Sequence, residues 1–212
     1  MPEKEILEKL KKAVIEQDVD GAKAAAKQAA SENLDPLKCI DQGLGAGMNV
    51  ISDQFDKAEV FVPQIIISAE AFTEAVEILK SLIKGGYKSK GKIICHTVQG
   101  DIHDIGKNIV KILLTANGFE MVDLGRDVPI DHVVDVAVEQ KCDMITGSAL
   151  MSTTMISQRE IINTLKERGI RNKYKCVFGG AVTSAEWVKE IGGDGWAENG
   201  AEAVDVVKKV MG

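Results

Sequence analysis

The hydrophobic period of this chain changes once, between residues 85 and 91, and that change constrains the fold more than any other feature. Up to about residue 84 the apolar positions recur at helical spacing, with hardly a β-branched run. Ile6, Leu7, Leu10, Val14 and Ile15 line a first helix that ends before the turn at 18–21, and an alanine-rich second helix runs to about Ala30. A third starts after Leu34-Asp35-Pro36, where Asp suits an N-cap and Pro a first helical residue, and continues through Cys39, Leu44, Met48 and Ile51 to about Phe55. The fourth follows Val62-Pro63, carries Ile66, Ile67, Val76, Leu79 and Leu82, and is stopped by Gly85-Gly86. Four helices joined by short loops define an antiparallel bundle.

After the GGYKSKG linker at 85–91 the pattern alternates. Strands are expected at 92–98, 119–124, 143–148, 174–178 and 195–197, and helices at 105–117, 130–140, 154–168, 184–191 and 200–211. Such alternation means βα units and a parallel sheet. The fold class is therefore α/β: a helical bundle at 1–87, then a flavodoxin-like or Rossmann-like, doubly wound, five-stranded domain at 88–212. In such sheets ligands bind beyond the carboxyl ends of the strands, which singles out the loops at 99–106, 125–129, 148–154, 179–183 and 197–200.

Composition narrows what that site can bind. With 26 basic against 32 acidic residues and a net charge of -6, the chain offers no basic face for a nucleic acid. Its nine aromatics are too few for a base-stacking platform. No stretch is long and apolar enough to span a membrane, and the start MPEKEILEKLKK is unlike a signal peptide, so a cytoplasmic protein without a membrane partner is expected. Cys39, Cys95, Cys142 and Cys176 lie far apart without zinc or cluster spacing, and read as packed thiols.

The first loop, Gly100-Asp101-Ile102-His103-Asp104-Ile105-Gly106, has the wrong glycine spacing for a dinucleotide turn. It offers one imidazole two residues after a carboxylate. A carboxylate bonded to one ring nitrogen fixes the tautomer and presents the other nitrogen to a metal. A single histidine holds a metal only where a macrocycle supplies the remaining donors; the plainer reading is a surface or capping residue. His96 reads as packed or hydrogen-bonded inside the first strand, and His132 as solvated. The Asp101/Asp104 pair also brings a phosphoacceptor receiver domain into view, but Ser148 stands where that fold needs an aspartate.

Residues 97–110, TVQGDIHDIGKNIV, resemble the DxHxxG signature of cobalamin-binding domains of the methionine synthase type. The resemblance continues through Asp123-Leu124-Gly125, Val128-Pro129, the SALMSTTM run at 148–155, Gly179-Gly180-Ala181 and Trp196-Ala197-Glu198-Asn199. It reaches the helical half in Gly47-Met48-Asn49 and Phe61-Val62-Pro63-Gln64. It implies cobalamin or a related corrinoid as cofactor, bound base-off, with His103 as the lower axial cobalt ligand. Asp101 would orient that imidazole and Thr154 complete a proton relay, in place of the serine of methionine synthases. The loop residues Gly100, Ile102, Asp104, Ile105 and Gly106 would surround the ligand. Ser148 and Leu150 would line the cavity of the nucleotide tail, Gly179 and Gly180 would let it pass close to the backbone, and Ser152 and Gly200 would also bind the cofactor. Phe55 and Val62 would cap the upper corrin face, and Asp41 would stand where the family has glutamate.

The resemblance also implies a role. There is no room for a substrate barrel or a reactivation domain, so the chain resembles the small, non-catalytic methyl-carrier subunits of corrinoid methyltransferase systems. Its partners would be a substrate-specific methyltransferase, a second methyltransferase acting on a thiol or tetrahydrofolate, and a reductive activase. Two rivals share parts of the pattern: a B12-dependent sensor, which usually adds a DNA-binding domain, and the small subunit of a B12-dependent mutase, which lacks the bundle.

Overall fold

The computed structural model describes residues 2–82 and 89–212, and the chain divides into two compact units, Met1–Lys88 and Ser89–Gly212. The expected helix stop at Gly85-Gly86 and residues 85–88 of the expected linker lie outside the described residues.

In the first unit the helices are α1 (Pro2–Ile15), α2 (Val19–Ser31), α3 (Pro36–Lys38), α4 (Ala46–Asp56) and α5 (Val62–Lys80). Ala22, Ala25, Ala26 and Ala29 of α2 are all buried, and side chains this small let α2 lie close along α5. Ile6, Leu10, Leu44, Met48, Ile51, Ile65 and Leu79 fill the centre. Asp18 caps α2 by accepting from the Gly21 N–H, Asp35 caps α3 by accepting from the Leu37 N–H, and the Phe61 N–H donates to Gln64 Oε1 at the start of α5.

One element differs from the sequence expectation. The third helix is not uniform: between α3 and α4 the chain winds as a wider π-helix over Cys39–Gly45. Gly43 packs where a β-carbon would crowd Leu10 at 3.0 Å, and two glycines in seven residues weaken the α-helical preference enough for packing to decide the local winding.

The second unit is built from β1 (Lys92–Val98), α6 (Ile105–Ala116), β2 (Glu120–Val128), α7 (Ile130–Glu139), β3 (Met144–Ser148), α8 (Ser152–Glu167), β4 (Lys175–Gly179), α9 (Ala185–Ile191), β5 (Gly195–Ala197) and α10 (Gly200–Met211). All five strands are parallel in the order β2-β1-β3-β4-β5, the doubly wound order expected. Helices α6 and α10 pack together on one face of the sheet, and α7, α8 and α9 cover the other. That second face carries the core of Ile94, Ile145, Cys176 and Phe178 against Val133, Val134, Ile161, Ile162 and Leu165. Because the chain goes from β1 outward to β2 and then returns to β3, the loops after β1 and β3 diverge and open a crevice.

Strand β2 is longer than its apolar run indicated. Beyond residue 124 it continues with register shifts against β1, through Gly125 and Asp127, both in the left-handed region at φ 84° and 52°. Part of the expected loop at 125–129 is therefore strand, and its polar residues escaped a reading based on hydrophobicity.

Candidate functional site

The β1–α6 loop begins where the β1 ladder ends, and its neighbours hold it in place. The Gly100 N–H donates to Asp127 Oδ1 at 2.7 Å, and the Asp127 N–H donates back to the Asp101 carbonyl at 2.9 Å. Asp101 is fully buried. Its Oδ1 accepts from the His103 N–H at 3.0 Å and lies 2.8 Å from His103 Nδ1; its Oδ2 accepts from the Leu150 N–H at 2.7 Å and the Thr154 hydroxyl at 2.8 Å. Burial alone would raise the Asp101 pKa, but these donors outweigh it and hold the carboxyl well below the usual carboxylate range. Since an ionised carboxylate only accepts, Nδ1 carries a proton, and the tautomer of the neutral ring that this contact selects has its lone pair on Nε2. Nε2 has no hydrogen-bond partner among the described residues, and the His103 side chain is 47% exposed.

Around that imidazole stand apolar side chains that a folded chain normally hides. Ile105 is 72% exposed, Ile102 59% and Leu150 41%. They border a cavity of about 520 Å³ that runs from His103 along the α6/α10 face of the sheet, a size ordinary for a small-molecule site. Val110, Val177, Ala203 and Val207 form its apolar wall, and Lys107, Asp104 and Ser148 contribute polar groups. Gly179 and Gly180 form its edge between β4 and β5. A β-carbon on Gly179 would sit 2.7 Å from the Ala197 carbonyl oxygen, and one on Gly180 would collide with the carbonyl of Ala149. Gly180 also adopts φ 122°, which side chains other than glycine's rarely accept.

The sequence-expected residues thus fall into three groups. Ile102, His103, Asp104, Ile105, Gly106, Ser148, Leu150, Gly179, Gly180 and Gly200 all border the cavity. Gly200 does so where a side chain would press on Ile109 and Leu113, so its bareness also lets α10 approach α6. Asp101 and Thr154 lie behind the imidazole, Gly100 supplies the turn at φ 85°, and Ser152 is exposed at the first residue of α8, outside the lining. Asp41, exposed on the π-helix, Phe55, half-buried near the end of α4, and Val62, half-buried at the start of α5, belong to the first unit.

Several residues at or near the site were not visible in sequence. Lys107 is 4% exposed, lines the cavity and bonds Asp123 Oδ1 at 2.5 Å, while Lys111 holds Asp123 Oδ2 at 2.8 Å. Its place in the first turn of a helix after a charged loop gave no sign of burial. His96 is packed, as expected, but its ring nitrogens are without partners among the described residues: it lies against Gly147, and burial pushes its pKa down to about 4 against a weaker opposing pull from the Thr146 backbone. The four cysteines are buried and free; Cys95, on the cavity wall, has its thiol pushed up to about 12 by burial, which makes it a packing group and not a nucleophile.

These residues fit a corrinoid on the observations just given. A neutral imidazole with an open Nε2 suits the lower axial position of a cobalt whose other donors come from a macrocycle. The exposed isoleucines and Leu150 suit its apolar surface, and the cavity along the sheet has room for an elongated tail. Fold and site together define a cobalamin-binding module.

Comparison with known proteins extends this to the whole chain. A B12 binding domain model matches residues 91–205, and a second B12 binding domain model matches residues 6–80. The chain is 44% identical to a dimethylamine corrinoid protein and 42% identical to a monomethylamine corrinoid protein of Methanosarcina acetivorans, each over 100% of both chains. It superposes with a TM-score of 0.83 on a crystal structure of the methanol:cobalamin methyltransferase complex MtaBC from Methanosarcina barkeri, at 36% identity, covering 98% of this chain and 80% of the other. The protein belongs to the family of small corrinoid proteins, and its cofactor is a corrinoid.

Proposed function

We propose that the protein carries a methyl group on a corrinoid between two methyltransferases, with His103 as the lower axial ligand. The observation that carries this reading is the buried Asp101 carboxylate, which spends one oxygen on His103 and the other on the loop after β3, so that Nε2 is presented beside the cavity. When bound, the corrinoid supplies a cobalt centre that takes up and gives up a methyl group. The chain controls how readily the imidazole stays attached. With Nε2 bound to the cobalt, Asp101 would accept a hydrogen bond from Nδ1–H; with Nε2 free, that nitrogen could take up a proton and Asp101 would stabilise the resulting charge. Thr154 has two acceptors in reach, Asp101 Oδ2 and the Met151 carbonyl at 2.9 Å, and its single proton serves one at a time. Moving it between them tunes how much negative charge Asp101 offers the imidazole.

The relatives' names and the methyltransferase complex support a substrate-specific methyltransferase as one partner. A second methyltransferase, acting on a thiol or tetrahydrofolate, and a reductive activase complete the cycle. In the helical unit Asp41, Phe55 and Val62 are assigned to the upper corrin face. The test is the visible spectrum of the reconstituted protein beside His103→Ala. The wild type is expected to show imidazole-ligated cobalt and the variant to lose that signature; identical spectra refute the axial role.

A further inference from the structure

The cavity has a support on the opposite side of the sheet that the axial chemistry does not use. Gln158, on α8, is completely buried. Its side-chain amide donates to the Gly147 carbonyl and to the Gly179 carbonyl, each at 3.1 Å, so that a single NH₂ group bridges the last turns of hydrogen bonding between β3 and β4. Both glycines border the cavity. The amide oxygen is used as well: it accepts from Trp187 Nε1 at 2.9 Å. The Trp187 ring is covered in turn by the Arg159 guanidinium, 4.6 Å from its centroid, and Arg159 is held by Glu190 at 2.6 Å. Both donors of the Gln158 amide and its oxygen are therefore engaged, and its orientation is fixed from the surface inward.

The position of this bridge gives it its meaning. Past Ser148 and Gly179, the last pair in the β3–β4 register, only the Ala149 N–H to Gly179 carbonyl bond at 3.1 Å continues the ladder before the two strands part. Gly180 follows at once, so close to the loop after β3 that an added β-carbon would collide with the Ala149 carbonyl. A small change in strand separation here moves the glycine edge that bounds the cavity, while His103, on the loop after β1, is held through Asp101, which bonds the loop after β3 at Leu150 and α8 at Thr154. The two supports meet at the loop after β3 but use different side chains, Asp101 for the imidazole and Gln158 for the cavity edge.

We infer that Gln158 is a positioning residue for the nucleotide tail: it sets the spacing of Gly147 and Gly179 so that the cavity admits the tail, and it has no part in holding the imidazole. The inference rests on the reading that the tail occupies this cavity. The experiment measures equilibrium binding of cobalamin and of cobinamide, which lacks the nucleotide, to the full-length chain. Gln158→Met keeps the length and removes both donors. The expected result is roughly tenfold weaker cobalamin binding, the effect of about one buried hydrogen bond, with cobinamide binding unchanged. Trp187→Phe frees the amide oxygen but leaves its donors, and is expected to act in the same direction by a smaller factor; it also carries the test if Gln158→Met does not fold. Gln158→Glu, whose carboxyl regains one donor when protonated, is compared with wild type at each pH: its cobalamin deficit relative to wild type is expected to narrow as pH falls, with cobinamide binding equal in the two proteins throughout. Equal weakening toward both ligands, or no weakening toward either, overturns the role of Gln158. A wild type that binds cobinamide as tightly as cobalamin instead overturns the tail-in-cavity reading itself, and the inference with it.

Discussion

Replacing Asp101 with asparagine keeps the shape of the side chain and removes the charge on which the loop is organised. Four donors lie within 3.0 Å of the carboxylate: the His103 N–H and Nδ1–H, the Leu150 N–H and the Thr154 hydroxyl. An amide offers one oxygen, so two of the four lose their acceptor whichever way it lies. If its NH₂ group faces the loop after β3, the Thr154 hydroxyl can turn wholly to the Met151 carbonyl, but the Leu150 N–H is left unpaired. If it faces His103, the main-chain N–H is left unpaired and Nδ1 becomes an acceptor, which moves the ring proton to Nε2 and removes the lone pair that the proposed cobalt ligation needs. An unsatisfied buried donor costs about 1–3 kcal/mol, and bonds to a charged acceptor are worth more than those to a neutral one, so the apo variant is expected to lose about 2 kcal/mol in a urea titration at pH 7. Disturbing the group that orients a metal-bound histidine typically costs about 10 to 100-fold in metal affinity or activity, which a spectral titration of cobalt ligation reads directly. The pH dependence fixes the sign. Asp101 is held below the carboxylate's unfolded value of about 3.9, so its contribution is fully present above that pH and is lost as pH falls further. The stability gap between wild type and variant should therefore narrow as pH falls below about 3.9. A variant within about 0.5 kcal/mol of wild type, with an unchanged cobalt spectrum, refutes the reasoning.

His96 makes the opposite test of buried charge. Its pKa falls to about 4 in the fold against about 6.5 unfolded, so the native state favours the neutral ring, and stability is expected to drop by about 3 kcal/mol as pH falls from 6.5 to 4; His96→Phe should flatten that slope, and an equal slope in the variant would exclude His96 as its source. Gly180→Ala places a β-carbon on the Ala149 carbonyl and strains a φ of 122°, so corrinoid binding should fall at least about tenfold with a stability loss of about 1–3 kcal/mol, both read on the same sample; wild-type affinity would show that this edge does not meet the ligand. Lys107→Met and Lys111→Met remove partners of the same Asp123 carboxylate, but Lys107 is buried and Lys111 is not, so thermal unfolding should show a cost of about 2 kcal/mol or more for the first and less than about 1 kcal/mol for the second.

How much of this was legible in the sequence depends on whether the information was local. The change of period after residue 84 located the helical unit and the α/β unit, because burial of one face imposes its repeat on every element of a given kind. The π-helix at Cys39–Gly45 was not legible, since apolar residues three and four apart look the same whether the winding is α or π. The extension of β2 to Val128 was hidden for a related reason: its last residues are paired through irregular register and are polar or glycine, so they leave no apolar run.

The site shows the same division within a single side chain. The spacing of Asp101 and His103 displayed one half of the carboxylate, the oxygen shared with a neighbour two positions on. Its other oxygen is bound by Leu150 and Thr154, 49 and 53 positions away, and nothing in either segment alone announces that they meet. That second half decides the chemistry. A carboxylate bonded only within its own loop would move with the imidazole and give it no fixed direction; tied across the crevice to the loop after β3, it makes the orientation of His103 a property of the sheet. The same holds for Gln158, whose amide joins Gly147, Gly179 and Trp187 from three separate elements and had no motif to mark it. In this chain many of the residues that border the cavity are readable in order along the sequence, and the residues that hold them still become visible only when the strands are laid side by side.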